Sequence, residues 1–291
     1  MSRAVLITGA TGKQGGAVVN ALLKANADFE ILALTRDSQS ASAQRLVQKS
    51  PKIKLVAGNL DAPDNIFSKA KEITKTPIWG VYSVQVAIGG GATHKTEEVQ
   101  GKALIDVSLK NGVKHFVYSS VDRGGSKSDD NPTDVPHFIS KHKVEQYLYE
   151  KTKNGEMDWT ILRPVAFFDN LITLKKNQKL QLIATSDIGF FAAEAFTKPE
   201  EYKNKKISLA GDEITYDEYT TIFKQKTGDD MPTTYEFVAT IINWMVKELG
   251  YMFRWFRDVG YAADIPSLRK KNPELKNFAT WLEKDSQFKT R

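Results

Sequence analysis

The stretch Gly9-Ala10-Thr11-Gly12-Lys13-Gln14-Gly15 constrains this chain more than any other. It follows a short apolar run, Ala-Val-Leu-Ile-Thr from Ala4 to Thr8, and precedes a segment with apolar residues at Val18, Val19, Leu22 and Leu23. The first reads as a buried strand and the second as an amphipathic helix. A glycine turn between a strand and a helix has a definite physical use. The first glycine permits the tight turn, the second lets backbone approach a pyrophosphate, and the third lets helix and strand pack closely. The helix N-terminus then offers N–H groups and positive dipole to an anion. A plain tight turn is the alternative reading.

The pattern continues as a series. Strands are expected at Glu30 to Thr35, Ile53 to Ala57, Trp79 to Val86, Val113 to Ser119 and Trp159 to Leu162. Helices are expected at Ala41 to Ser50, Asp64 to Glu72, Thr96 to Lys110 and His137 to Thr152, with a loop at Gly124 to Pro136. Such alternation predicts an α/β chain with a Rossmann-type, doubly wound parallel sheet and right-handed crossovers. After Arg163-Pro164 the rhythm changes. A strand at Ile207 to Ala210 and a helix from Thr215 to Thr227, with Thr215 and Glu218 as a capping box, are expected there. Thr240 to Phe256 is rich in apolar and aromatic residues, which read first as packing. The expected division is a dinucleotide-binding domain over 1–164, to which later segments can return, and a smaller, mainly helical domain over 165–291 for substrate or partner.

Composition narrows the function. There is no cysteine among 291 residues, so disulfides and thiolate chemistry are excluded. The four histidines show no metal-binding spacing, and no metal site is expected. The net charge is +6, but lysines are interleaved with acids, and only Lys203 to Lys206 and Arg269 to Lys271 are dense. That distribution reads as solvated surface, and direct nucleic-acid binding is not expected. No apolar stretch approaches the roughly 18 residues of a membrane span, and no leader precedes the first strand, so a cytoplasmic location, or a nuclear one, is expected.

The second strand ends at Thr35-Arg36-Asp37. An acid at this place binds a ribose 2′-hydroxyl, whereas an arginine accommodates a 2′-phosphate. Arg36 comes first after the strand, which favours NADP(H), with NAD(H) as a weaker ligand; Asp37 would serve NAD if the strand ran one residue longer. After the third strand, Leu60 can pack on the adenine and Asp61 can accept from its amino group, unless Asp61 merely caps the next helix.

The spacing of the glycine turn resembles that of the extended and atypical short-chain dehydrogenase/reductases. More specifically, the chain resembles the NmrA-like family. The resemblance rests on Ile7 to Gly16, Leu34-Thr35-Arg36, Gly58-Asn59-Leu60-Asp61, Phe116 to Ser120, His137-Phe138-x-x-Lys141, Leu162-Arg163-Pro164 and Phe167-Phe168-Asp169-Asn170, with Asp187-Ile188-Gly189 and Trp281-Leu282 further on. It implies a dinucleotide held by Gly9, Ala10, Thr11, Gly12, Lys13, Gln14 and Gly15. Val84 and Gln85 would pass under the cofactor, Ser119 would supply an active-site hydroxyl, and Phe167 and Asn170 would touch the nicotinamide side. It implies two kinds of function: NADP(H)-state sensors or corepressors with a regulatory protein partner, and NADPH-dependent reductases of a quinone, enone or carbonyl on a small apolar substrate.

The superfamily's enzymes use Tyr-x-x-x-Lys on one helix face. Lysine holds the nicotinamide ribose and tyrosine passes the proton. Here the window reads His137-Phe138-Ile139-Ser140-Lys141. The lysine is retained and the tyrosine is not, which favours the sensor reading. Lys141 is the candidate ribose ligand and catalytic lysine. His137 is a candidate proton donor because imidazole titrates near neutrality, although a packed histidine at a helix start explains it as well.

Overall fold

The computed structural model describes residues 3–86, 91–170, 178–231 and 250–291. The chain divides into two compact units. The first comprises 1–120, 140–163 and 188–207, and the second 121–139, 164–187 and 208–291.

The first unit is built on the sheet order β3-β2-β1-β4-β5-β6-β9. Its strands are β1 (Arg3–Ile7), β2 (Phe29–Thr35), β3 (Ile53–Ala57), β4 (Ile78–Ser83), β5 (His115–Ser119) and β6 (Asp158–Pro164), with β9 (Lys205–Leu209) at the edge. The pairings from β3 through β6 are parallel. The helices between them are α1 (Lys13–Lys24), α2 (Ala41–Val47), α3 (Pro63–Ile73), α4 (His94–Lys110) and α5 (Pro136–Thr152), followed later by α6 (Thr185–Thr197) and α7 (Pro199–Tyr202). The unbroken apolar runs follow from this arrangement, because strands covered on both faces need no polar alternation. Leu6, Leu32, Val81, Phe116 and Ile161 are buried together with Phe67, Leu104 and Val144 from the helices.

The order reverses between β1 and β4. In open parallel sheets, ligands bind outside the carboxyl ends of the strands at such a reversal. Ile7 stands beside Ala33 on one side and Tyr82 on the other, which sets the glycine turn at the mouth of the reversal.

Helix boundaries depart from the sequence expectations where capping decides them. α4 starts at His94 because Thr93 and Thr96 form a reciprocal capping box upstream of the expected start. α3 starts at Pro63, with Ala62 as N-cap and no capping side chain. Asp61 is therefore not the helix cap that its position allowed. β4 ends at Ser83, so Val84 and Gln85 follow the strand and do not belong to it.

The second unit contains a small sheet, β10 (Asp212–Thr215), β8 (Lys179–Ile183) and β7 (Ala166–Phe167), antiparallel at the first pairing and parallel at the second. The capping box of Thr215 with Glu218 is present and opens α8 (Tyr216–Thr227), which ends at Gly228 in the left-handed conformation. Aromatic rings fill the interior. Tyr219 and Phe278 have ring centroids 4.2 Å apart, and Phe168 stacks on Trp281 at 5.6 Å. In the aromatic segment expected at 240–256, residues 240–249 lie outside the described residues. Residues 250–258 are helical, and Trp255 and Phe256 are buried. Asp122 ties this unit together: its carboxylate accepts from the Gly124, Gly125 and Ala262 N–H groups and from Ser208 Oγ.

Candidate functional site

Each glycine of the turn shows what it does locally. Gly9 has φ +59°, a left-handed conformation that side chains rarely adopt. The Gly12 N–H donates to the Gly9 carbonyl at 2.9 Å, closing the turn. A Cβ on Gly15 would run into the carbonyl oxygens of Gly9 and Thr8, so only glycine lets the helix sit this close to the strand. Gly12 differs. Its φ of −95° suits any residue, and an added Cβ would lie 3.3 Å from the Gly9 oxygen, tight but not prohibitive. The protein's own packing thus presses less on a side chain at position 12 than at position 15.

The turn is braced from β1 to the residue after β4. Thr8 Oγ1 donates to the Val84 carbonyl at 3.0 Å and accepts from the Val84 N–H at 2.8 Å. Ala10 is buried, whereas Thr11, Gly12 and Lys13 are exposed. α1 opens with Gly12 as N-cap, no capping side chain and no acid in its first turn. A helix start of that kind keeps its dipole and first-turn N–H groups for an anion.

Arg36 is exposed. Among the described residues its guanidinium has no hydrogen-bond or ion-pair partner. Asp37 is occupied with its own turn: its Oδ1 accepts from the Gln39 N–H at 2.8 Å, and its carbonyl accepts from Thr35 and Ser40 hydroxyls. After β3, both Asp61 oxygens are held, one by Asn59 Nδ2 and the other by Gln100 Nε2, each at 2.7 Å. Leu60 is half-buried against the core.

A polar cluster lies at the ends of β4 and β5. Gln14 Oε1 accepts from Ser119 Oγ at 2.7 Å and from the Tyr82 hydroxyl at 3.3 Å. Burial pushes the Tyr82 phenol well above its ordinary range, so it stays protonated. Gln85 is buried, and its Nε2 donates to Ser83 Oγ at 2.9 Å. Its Oε1 meets no donor among the described residues. Lys141 Nζ stands 2.6 Å from Glu97 Oε1 and 3.4 Å from the Ser119 carbonyl oxygen. Ser140 Oγ donates to the other Glu97 oxygen at 2.5 Å. Glu97 is fully buried, while the Lys141 side chain keeps 13% exposure.

The expected residues therefore fall into two groups. Residues 9–15, Arg36, Leu60, Asp61, Val84, Gln85, Ser119 and Lys141 belong to the first unit, and His137, Phe167 and Asn170 to the second. His137 and Lys141 both lie on α5. The His137 ring packs edge-on against Phe138 at 4.8 Å. Phe167 is in β7 and Asn170 ends a 3₁₀ turn. Sequence reading missed Glu97. An acid in the first turn of a helix is ordinary dipole complementation, and nothing local betrays that this one is buried.

The family model for the NmrA-like family matches residues 1–283. An NmrA-like family domain-containing protein of Dictyostelium discoideum is 24% identical over 312 residues, covering 98% of each chain. The triphenylmethane reductase of Citrobacter sp., solved with NADP(H), superposes with TM-score 0.72 at 18% identity, covering 97% of this chain and 99% of its own. NmrA, a negative transcriptional regulator solved with NADP, superposes with TM-score 0.68 at 16% identity, covering 98% and 95%. The family match runs across nearly the whole chain, and the chain belongs to the NmrA-like family.

Proposed function

We propose that this protein binds NADP(H) and reports the state of that cofactor to a partner. The observation that carries the cofactor reading is the pairing of an uncapped, acid-free helix start with the exposed, unpartnered Arg36 guanidinium at the end of the neighbouring strand. The residues fit the group. A glycine at position 12, where packing demands it less than at position 15, leaves backbone open to a pyrophosphate. Arg36 supplies a planar fork for a 2′-phosphate, while Asp37 is spent on its own turn.

The sensor reading follows from where the protons are. The Ser119 hydroxyl donates to Gln14, Ser140 donates to Glu97, and the Lys141 ammonium is neutralised by Glu97. The tyrosine that would pass a proton is absent from the window 137–141. Carbonyl reduction needs a hydride and a proton, and these residues offer no ready donor for the second.

A second reading, an NADPH-dependent reductase, draws support from relatives. An NmrA-like family domain-containing oxidoreductase of Aspergillus hancockii is 26% identical over 78% of this chain, and the Citrobacter neighbour is a reductase. Bound NADPH would supply the hydride, and Lys141 would orient the ribose.

One comparison separates the two readings. NADPH oxidation is followed by absorbance with a panel of quinones and carbonyls, for wild type and Lys141→Met. Under the sensor reading no acceptor drives steady oxidation, Lys141→Met loses affinity only, and binding of the partner follows the NADPH to NADP ratio. Steady turnover that falls about 100-fold in Lys141→Met, the scale of acid–base contributions, would establish the reductase instead.

A further inference from the structure

The pair formed by Glu97 and Lys141 is costly to build, and a surface lysine would not need it. A carboxylate with no exposure loses its hydration, and removing either member of a buried pair leaves an uncompensated charge. The geometry also accounts for most of the hydrogen-bonding capacity. Glu97 spends one oxygen on Lys141 and the other on Ser140. An ammonium has three donors. Its Nζ pairs with Glu97 Oε1 at 2.6 Å, donates to the Ser119 carbonyl and lies 6.0 Å from the Tyr118 ring centroid, on a side chain that is still 13% exposed. The Ser119 carbonyl marks the carboxyl end of β5, on the side of the sheet where parallel α/β folds bind ligands.

We propose that Glu97 is a positioning residue for ligand binding: it fixes the Lys141 ammonium at the end of β5 and cancels its charge. Lys141 then acts as an oriented donor to a neutral hydroxyl and not as an anion trap. This rests on the NADP(H) reading above, in which the hydroxyl belongs to the nicotinamide ribose. The 2′-phosphate and pyrophosphate are left to Arg36 and the α1 terminus. The α4 residue thus divides the labour of the site: charge is recognised at one end and hydroxyls at the other. Ser140, beside Lys141 in sequence, holds Glu97 in place through its second oxygen.

The test uses two ligands that share only the charged half of the molecule. NADPH and adenosine 2′,5′-bisphosphate are titrated calorimetrically into wild type, Glu97→Gln, Lys141→Met and the double variant. Glu97→Gln and Lys141→Met are each expected to weaken NADPH about tenfold, the scale of one charge-assisted hydrogen bond. Both are expected to leave the bisphosphate unchanged. The double variant should be no weaker than Lys141→Met, because Glu97 acts only through the lysine. If either single variant does not fold, Glu97→Asp, which keeps the charge but draws the carboxylate back from Lys141, carries the test: it is expected to weaken NADPH and to leave the bisphosphate unchanged. A Glu97 substitution that weakens both ligands alike, leaves NADPH unchanged, or costs a further tenfold beside Lys141→Met would overturn the assignment of Glu97 and leave the cofactor reading standing. Wild type that binds neither ligand would instead overturn the cofactor reading, and this inference with it.

Discussion

On the proposed reading, the choice of cofactor rests on one side chain, Arg36. Its exposure and lack of a described partner leave the whole guanidinium for a ligand, whereas Asp37, one residue on, is already an acceptor for its own loop. Replacing Arg36 by alanine should weaken NADPH by about 1.5–3 kcal/mol, the value of a charged hydrogen bond, and leave NADH almost unchanged. Calorimetric titration of both cofactors checks this. Equal weakening of the two would place the 2′-phosphate elsewhere. His115 tests a different property of the molecule. Its Nε2 lies 2.9 Å from Thr160 Oγ1, which itself donates to the Tyr202 carbonyl. Nε2 must therefore carry the proton, and the ring is neutral among Trp79 and Phe196. Burial pushes its pKa down to about 4, against the opposing charges of Asp158 and Glu200. The unfolded value is about 6.5, so the unfolded chain binds the extra proton between these limits. The stability this neutral histidine contributes is fully present above about pH 6.5 and is lost as pH falls through 4. Urea unfolding at pH 7 and pH 4.5 should show wild type losing about 2–3 kcal/mol more than His115→Gln. An identical loss in both would contradict the burial argument.

In the turn between β1 and α1, the glycines differ in what a side chain would meet. Gly15 has the carbonyls of Gly9 and Thr8 where a Cβ would stand. Gly15→Ala should cost more than about 2 kcal/mol, as overpacking against backbone does, read as a lowered urea midpoint. Gly12→Ala, whose Cβ would meet the Gly9 oxygen at 3.3 Å where that of Gly15→Ala meets it at 2.3 Å, should lose clearly less, and a comparable loss in both would show that the two glycines have one role. The same elements show what sequence patterns convey. β1 to β6 and their helices were legible because buried parallel strands are unbroken apolar runs and the helices keep a 3.6-residue period. The capping box at Thr215 was legible because its chemistry is local. α6, from Thr185 to Thr197, and the two-residue strand β7 were not. The first is apolar around much of its surface and the second is too short to carry a pattern. Glu97 escaped because its partners, Ser140 and Lys141, come from another helix.

For the whole molecule, the chain is interleaved: each unit is assembled from three separate stretches. Local rules see the order of elements and allow a later return to the first unit, but they do not single out 188–207 for it, nor 121–139 for the second. The candidate residues are split the same way. Those for phosphate, adenine and ribose are in the first unit, and Phe167, Asn170 and His137 are in the second. The measurement that tests the account most directly is NADPH titration into wild type and Gly12→Val, with urea unfolding run in parallel. A valine at position 12 puts a side chain where the pyrophosphate must approach, and its Cβ would stand 3.3 Å from the Gly9 carbonyl oxygen, a close contact that the turn must relax to accept. Wild type is expected to bind NADPH, and Gly12→Val is expected to show no detectable binding while still unfolding cooperatively in urea. Unchanged affinity in a folded Gly12→Val protein would contradict the account.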